Sequence, residues 1–135
     1  MQPMQQEVGR LEPSEWIGRT VEVVMDRPLG SRHPEYGFVY ELNYGYVPGT
    51  RAPDGEELDA YVVGADQPLD RCVGRVVAVI LRADDIEDKV VVSVGGTWTE
   101  ETITRAVRFQ EHAFDHTVVA GRGRPDPHGC GAGGR

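Results

Sequence analysis

From Val73 to Leu81 the chain reads Val-Gly-Arg-Val-Val-Ala-Val-Ile-Leu, with Arg75 as its lone charge. A run this apolar and this short has no polar face to offer water, so it predicts a strand near the middle of a sheet. Such a strand needs neighbours. Trp16 to Met25, Asp59 to Gly64 and Val90 to Val94 are rich in β-branched residues and predict three of them. Gly37 to Tyr40 predicts a shorter strand, and Asn43 to Gly49, with Gly45, Pro48 and Gly49, predicts a turn. One helix is expected: Thr97-Trp98-Thr99-Glu100 has the spacing of a capping box, and Ile103, Ala106, Val107, Gln110 and Phe114 follow a helical stripe. These elements predict a mainly β fold of the α+β class with one or two helices.

At 135 residues the chain is about one domain, and 39% hydrophobic with 27% charged residues is the balance of a globular protein. Residues 1–15 are polar and carry Pro3 and Pro13, so they are expected to form an N-terminal arm. The domain is expected over 16–120. From Gly121 the composition turns to Gly, Arg and Pro, which cannot pack a core, so 121–135 is expected to be a disordered tail. Cys72 and Cys130 have neither metal-ligand nor framework spacing and are expected to be free thiols. A net charge of −8 argues against a general nucleic-acid binder. No apolar run approaches the ~18 residues of a membrane span, and Met1-Gln2-Pro3-Met4 lacks the features of a secretory signal. Cytoplasmic residence without a membrane partner is the expectation.

Two acidic turns carry the chemistry. Asp54 to Asp59 packs four carboxylates into six residues, immediately before the apolar run Ala60-Tyr61-Val62-Val63. Asp84-Asp85-Ile86-Glu87-Asp88-Lys89 repeats the pattern between the central strand and Val90 to Val94. Together they hold 8 of the 22 carboxylates. One such turn is an ordinary solvated loop, but two at strand ends predict an acidic pocket. Converging carboxylates repel one another and need counter-charge, for which a hard divalent cation is the simplest source. Lys89 either pairs with these acids or holds a phosphate oxygen opposite the cation. Arg27, Arg32 and His33, set among Pro28, Gly30 and Pro34, make an anion site in the first loop. Tyr40, Tyr44 and Tyr46 fit wall packing, with a partner expected for each hydroxyl. His112 has no second His or Cys one turn away and is expected to be a surface or packing residue.

The sequence resembles the soluble inorganic pyrophosphatases that use several Mg²⁺ ions. Tyr40 through Asp59 is similar to that family's signature, Tyr-x-x-Asn-Tyr-Gly-Tyr leading into Asp-Gly-Asp-x-x-Asp, and Val77 to Lys89 resembles its second metal segment. The resemblance covers roughly residues 20–115. It implies a small five-stranded, OB-like barrel with a flanking helix, metals at the barrel mouth and hydrolysis of a phosphoric anhydride. By position it implies Asp54, Asp59, Asp84 and Glu87 as metal ligands, with Asp85 as a rival to Asp84. Glu56 falls where the general base stands. Arg27, Tyr44 and Lys89 fall at substrate-binding positions. The implied cofactor is Mg²⁺, with Mn²⁺ or another divalent ion also open, and the implied partner is a small phosphate substrate; a homo-oligomer is left open.

Three departures are legible. Glu56 and Glu87 stand where the family has aspartates. A Tyr-Lys pair expected near the last helix is replaced by Ala113-Phe114, and the N-terminal hairpin that supplies a Glu and a Lys is missing or shortened, with Arg32, His33 or Arg51 as substitutes. Two other readings therefore stay open beside pyrophosphate hydrolysis: hydrolysis of a larger phosphoanhydride such as a nucleotide compound, and a non-catalytic barrel that binds a metal or a partner.

Overall fold

The computed structural model describes residues 6–83 and 87–121; Asp84, Asp85, Cys130 and the expected tail beyond Gly121 lie outside them. Eight strands and two helices run along the described chain: β1 Gln6–Glu7, α1 Pro13–Trp16, β2 Thr20–Arg27, β3 Asn43–Val47, β4 Thr50–Arg51, β5 Leu58–Val63, β6 Arg71–Arg82, β7 Lys89–Ser93, α2 Glu100–Glu111 and β8 His116–Ala120. Five of them close a barrel in the order β2-β3-β5-β7-β6, with β6 returning to β2. β5 and β7 are parallel, and the other barrel pairs are antiparallel. No helix among the described residues is long and apolar enough to cross a membrane.

β6 is the strand that Val73 to Leu81 predicts, and its length is what makes closure possible. Its first half pairs with β2 and its second half with β8, while β7 runs along its other edge. A register shift between Val76 and Ala78 lets the long strand bend between these partners.

Alternation sorts the side chains into two cores. Val23, Met25, Leu58, Ala60, Val62, Val76, Val79, Val90 and Val92 fill the barrel, and Val8, Leu11 and Trp16 pack into the same cluster. Tyr44, Tyr61, Val63, Ala78, Ile80 and Val91 point outward, where Ile103 and Val107 of α2 and Val118 of β8 cover them.

Several expectations are corrected. The first strand starts at Thr20, not Trp16: Pro13 sets the first turn of α1, Trp16 ends it buried, and Gly18 at φ 98° breaks the chain before β2. Residues 6–12, expected within a polar arm, contribute β1 and the buried Val8 and Leu11. Gly37 to Tyr40 is loop with a single bridge, Arg32 to Val39. Asn43 to Val47, expected as a turn, is the buried strand β3; the turn follows it at Gly49, φ 83°. Gly45 serves packing instead, since a Cβ there would lie 2.7 Å from Met25 Cα on β2. The capping box of α2 is Thr99 with Thr102, two residues later than the Thr97 spacing predicts. The helix ends at Glu111, so Phe114 falls beyond it, and β8 was not anticipated.

Candidate active site

Strand alternation aims a set of charged side chains at one end of the covered outer face. Asp59 has the parity of Tyr61 and Val63 on β5, Lys89 that of Val91 on β7, and Arg82 that of Ile80 on β6, all on the α2 side. The β5–β7 register places Asp59 directly opposite Lys89. With the end of β2, the loop after it and the end of α2, they enclose a cavity of about 730 Å³. It lies beside α2 at the strand ends, while the barrel interior is filled by apolar side chains.

The charges in this cavity are unevenly compensated. Burial pushes the Asp59 carboxyl up to about 6; Lys89 and the Tyr44 hydroxyl pull it down, and Asp54 and Glu87 raise it further. Burial also raises Asp26, against the opposing pull of Arg27, with Glu57 adding repulsion. Tyr40 is pushed up to about 12, chiefly by burial, and Tyr44 and Tyr61 go well above their ordinary range for the same reason. All three hydroxyls therefore stay protonated at neutral pH and act as donors. His33 accepts at Nδ1 from the backbone N–H groups of Glu35 (3.0 Å) and Tyr36 (3.1 Å), which leaves its proton on Nε2.

Behind the cavity runs a buried hydrogen-bond chain. Lys89 Nζ donates to Glu111 Oε2 at 2.6 Å, and the Tyr61 hydroxyl donates to the same oxygen at 2.7 Å. Gln110 Nε2 donates to the Tyr61 oxygen at 2.7 Å, and the Tyr40 hydroxyl donates to Gln110 Oε1 at 2.8 Å. Glu111 is fully buried, and its Oε1 meets no partner among the described residues. The chain joins two strands, a loop and the last turn of α2, and sequence reasoning missed most of it. A signal existed: Glu111 lies four residues after Val107 on the buried stripe, and Tyr61 shares the parity of Asp59.

Of the expected site residues, Arg27, Tyr44, Asp59, Glu87 and Lys89 line the cavity. Asp54 and Glu56 do not: they sit exposed in the turn between β4 and β5, where Asp54 Oδ1 accepts from the Glu56 N–H at 3.0 Å. Asp54 still reaches Asp59 through its charge. Asp84 lies outside the described residues. Among the proposed substitutes, His33 lines the cavity, Arg32 bonds the Gly37 carbonyl at 2.6 Å, and Arg51 faces Glu7 at 3.9 Å on a different edge. His112 is at the rim, its Nδ1 2.8 Å from the Arg108 carbonyl oxygen. Asp26 and Arg82 line the cavity without having been singled out; Arg82 stands 3.9 Å from Glu87 and lies over the Phe114 ring at 3.8 Å.

The donor set fits a hard divalent cation in kind, being carboxylate oxygen throughout. Among the described residues no group of three His, Cys, Asp or Glu converges into a complete cation site. Asp59 is short of counter-charge: it is partly buried and feels two other acids, and Lys89, which pulls it down, is shared with Glu111. A dication at Asp59 would supply what is missing.

Comparison with known proteins identifies a family and a fold. The family model for inorganic pyrophosphatase matches residues 18–117. An inorganic pyrophosphatase from Neisseria meningitidis serogroup B is 33% identical over 102 residues, 60% of this chain and 57% of the relative. The chain thus spans a little over half the length of that relative. Among solved structures, the inorganic pyrophosphatase from Ehrlichia chaffeensis superposes with a TM-score of 0.61 at 15% identity, covering 84% of this chain and 90% of that one. The inorganic pyrophosphatase from Neisseria gonorrhoeae gives a TM-score of 0.56 at 23% identity, covering 70% and 73%. At these identities the structural likeness is one of fold.

Proposed function

This chain belongs to the inorganic pyrophosphatase family, and from that membership we propose that it hydrolyses inorganic pyrophosphate to two phosphate ions with the help of a divalent cation, Mg²⁺ first. The observation that carries the reading is what meets at Asp59: a partly buried carboxylate pushed up to about 6, chiefly by desolvation, with Asp54 and Glu87 raising it further and Arg27 and Lys89 lining the same cavity. Acids that need a cation beside bases that can hold phosphate are what anhydride hydrolysis requires.

In this reading Asp54, Asp59, Asp84 and Glu87 hold the cation. When bound, a divalent cation neutralises phosphate charge and lowers the pKa of a water at the site. Arg27 grips phosphate oxygens through its planar guanidinium. The Tyr44 hydroxyl, kept protonated by burial, donates to Asp59 and fixes that carboxylate's direction. Lys89 contributes less charge to phosphate than its sequence position promises, because Glu111 already holds its ammonium. Glu56 takes the proton of the attacking water at a side-chain oxygen, a role that rests on its sequence position, since it is exposed and outside the cavity lining.

The experiment is phosphate release from pyrophosphate with and without Mg²⁺, on wild type, Glu56→Gln and Asp59→Asn. The expected outcome is metal-dependent release that falls by about 10²-fold or more in each variant. Release by wild type that ignores Mg²⁺, or a fully active Asp59→Asn, would count against the reading.

A further inference from the structure

The cavity carries aromatic rings for which pyrophosphate and a cation have no evident use. At about 730 Å³ it falls among pockets that enclose drug-sized molecules, whereas pyrophosphate is a handful of atoms without an apolar face. Its charged end is the site described above. Aromatic rings line the cavity as well. Tyr36 is 73% exposed yet held flat against His33, centroids 4.7 Å apart and planes 27° from parallel. His33 is itself fixed by the two backbone N–H groups on Nδ1 and by Phe38 at 4.9 Å. Across the cavity Phe114, 41% exposed, is backed by the Arg82 guanidinium. Tyr40 links the rings to the charges: its ring is 5.3 Å from Phe38, and its hydroxyl feels Arg27, Asp26 and Asp59.

We propose that the Tyr36–His33 ledge is a stacking subsite for a nucleobase, so that the cavity takes a nucleoside diphosphate, with the anhydride at the acidic end and the base on the ring ledge. Rings exposed in one cavity and held in fixed planes cost solvation in the free protein, and a base that stacks on them removes that cost. Any base presents a π-face, so the ledge selects for a base without selecting which one. The His33 Nε2–H remains available to a ribose or phosphate oxygen. The proposal rests on the hydrolytic reading above for its chemistry. A water oxygen bonds to the terminal phosphorus and the bond from that phosphorus to the bridging oxygen breaks. Nucleoside monophosphate leaves with the bridging oxygen, one water proton stays on the phosphate, and the other passes to solvent.

The test compares adenosine diphosphate with pyrophosphate as substrates in Mg²⁺, on wild type and Tyr36→Ala, and titrates adenosine monophosphate into both proteins by calorimetry. Tyr36 is a surface ring, so its removal leaves the cores intact. The expected result is that wild type hydrolyses adenosine diphosphate, and that Tyr36→Ala lowers kcat/KM for it relative to pyrophosphate about tenfold and weakens monophosphate binding by a similar factor. Tyr36-dependent monophosphate binding with neither anhydride hydrolysed would support the subsite and sink the hydrolytic reading. Pyrophosphate hydrolysis with no turnover of adenosine diphosphate and no monophosphate binding, or nucleotide selectivity that survives Tyr36→Ala, would overturn the subsite alone. Failure of hydrolysis and of binding together would overturn both.

Discussion

Glu111 shows how much one side chain can hold. Its Oε2 receives Lys89 Nζ and the Tyr61 hydroxyl, and all three groups are withdrawn from water. Removing one member of a buried ion pair leaves the other charge without compensation, whereas removing both replaces a desolvated pair with packing. Lys89 also lies 5.2 Å from the Tyr44 ring centroid and 5.4 Å from that of Tyr61, so little of it meets water when its partner goes. Glu111→Gln is therefore expected to destabilise the protein by about 3 kcal/mol. The Lys89→Met/Glu111→Leu double variant should lose clearly less than the sum of the two single changes, as measured by urea denaturation. Strict additivity would show that the pair is not coupled. The local sequence marks Glu111 only by its place four residues after Val107 on the buried stripe, and says nothing of its partners. What makes it central is that strand parity delivers Lys89 and Tyr61 to the point where α2 terminates.

Among the elements, β3 is the buried strand that was read as a turn, and the cause is Gly45. A glycine flanked by tyrosines and followed by Pro48-Gly49 has the composition of a turn. In the fold, Gly45 pairs with Met25 and Ala60 as a strand residue, and β2 passes so close that any Cβ would strike the Val24 carbonyl. Gly45→Ala should accordingly push β2 from β3 and cost about 3 kcal/mol, a small-to-large change against rigid backbone. A urea midpoint within error of wild type would refute this close approach. Because Tyr44 rides on the same strand, the variant should also lower turnover at the proposed site. The central β6, by contrast, was legible from composition alone, because an apolar strand has few ways to avoid burial.

At the scale of the whole molecule, Arg10 and Leu11 are tied to Asp88 and the end of β6. Asp88 Oδ2 accepts from Arg10 Nε at 2.9 Å and from the Leu11 N–H at 3.1 Å, its Oδ1 accepts from the Arg82 N–H at 2.9 Å, and Arg10 also reaches the Arg82 carbonyl at 2.8 Å. This latch holds Val8, Leu11 and Trp16 against the barrel interior and, in the same stroke, fixes the backbone between Glu87 and Lys89. Asp88→Ala leaves the Leu11 and Arg82 N–H groups without their acceptor and takes the carboxylate from Arg10. It is expected to cost about 3 kcal/mol and to open the chain after Arg10 to trypsin under native conditions; unchanged resistance to the protease would show that the latch is not what holds the segment. The sequence by itself determined the mainly β class, the central strand, the one long helix and the acidic turns. Each of these follows from local properties: side-chain shape, apolar periodicity and the repulsion of neighbouring carboxylates. Only the tertiary structure decided which face of the strands carries the site, that residues 6–16 pack into the barrel, and that Lys89 is spoken for by Glu111. Those outcomes depend on the barrel closing and on where α2 comes to rest, which bring together residues such as Arg10 and Asp88 that are 78 positions apart, and no local pattern records that meeting.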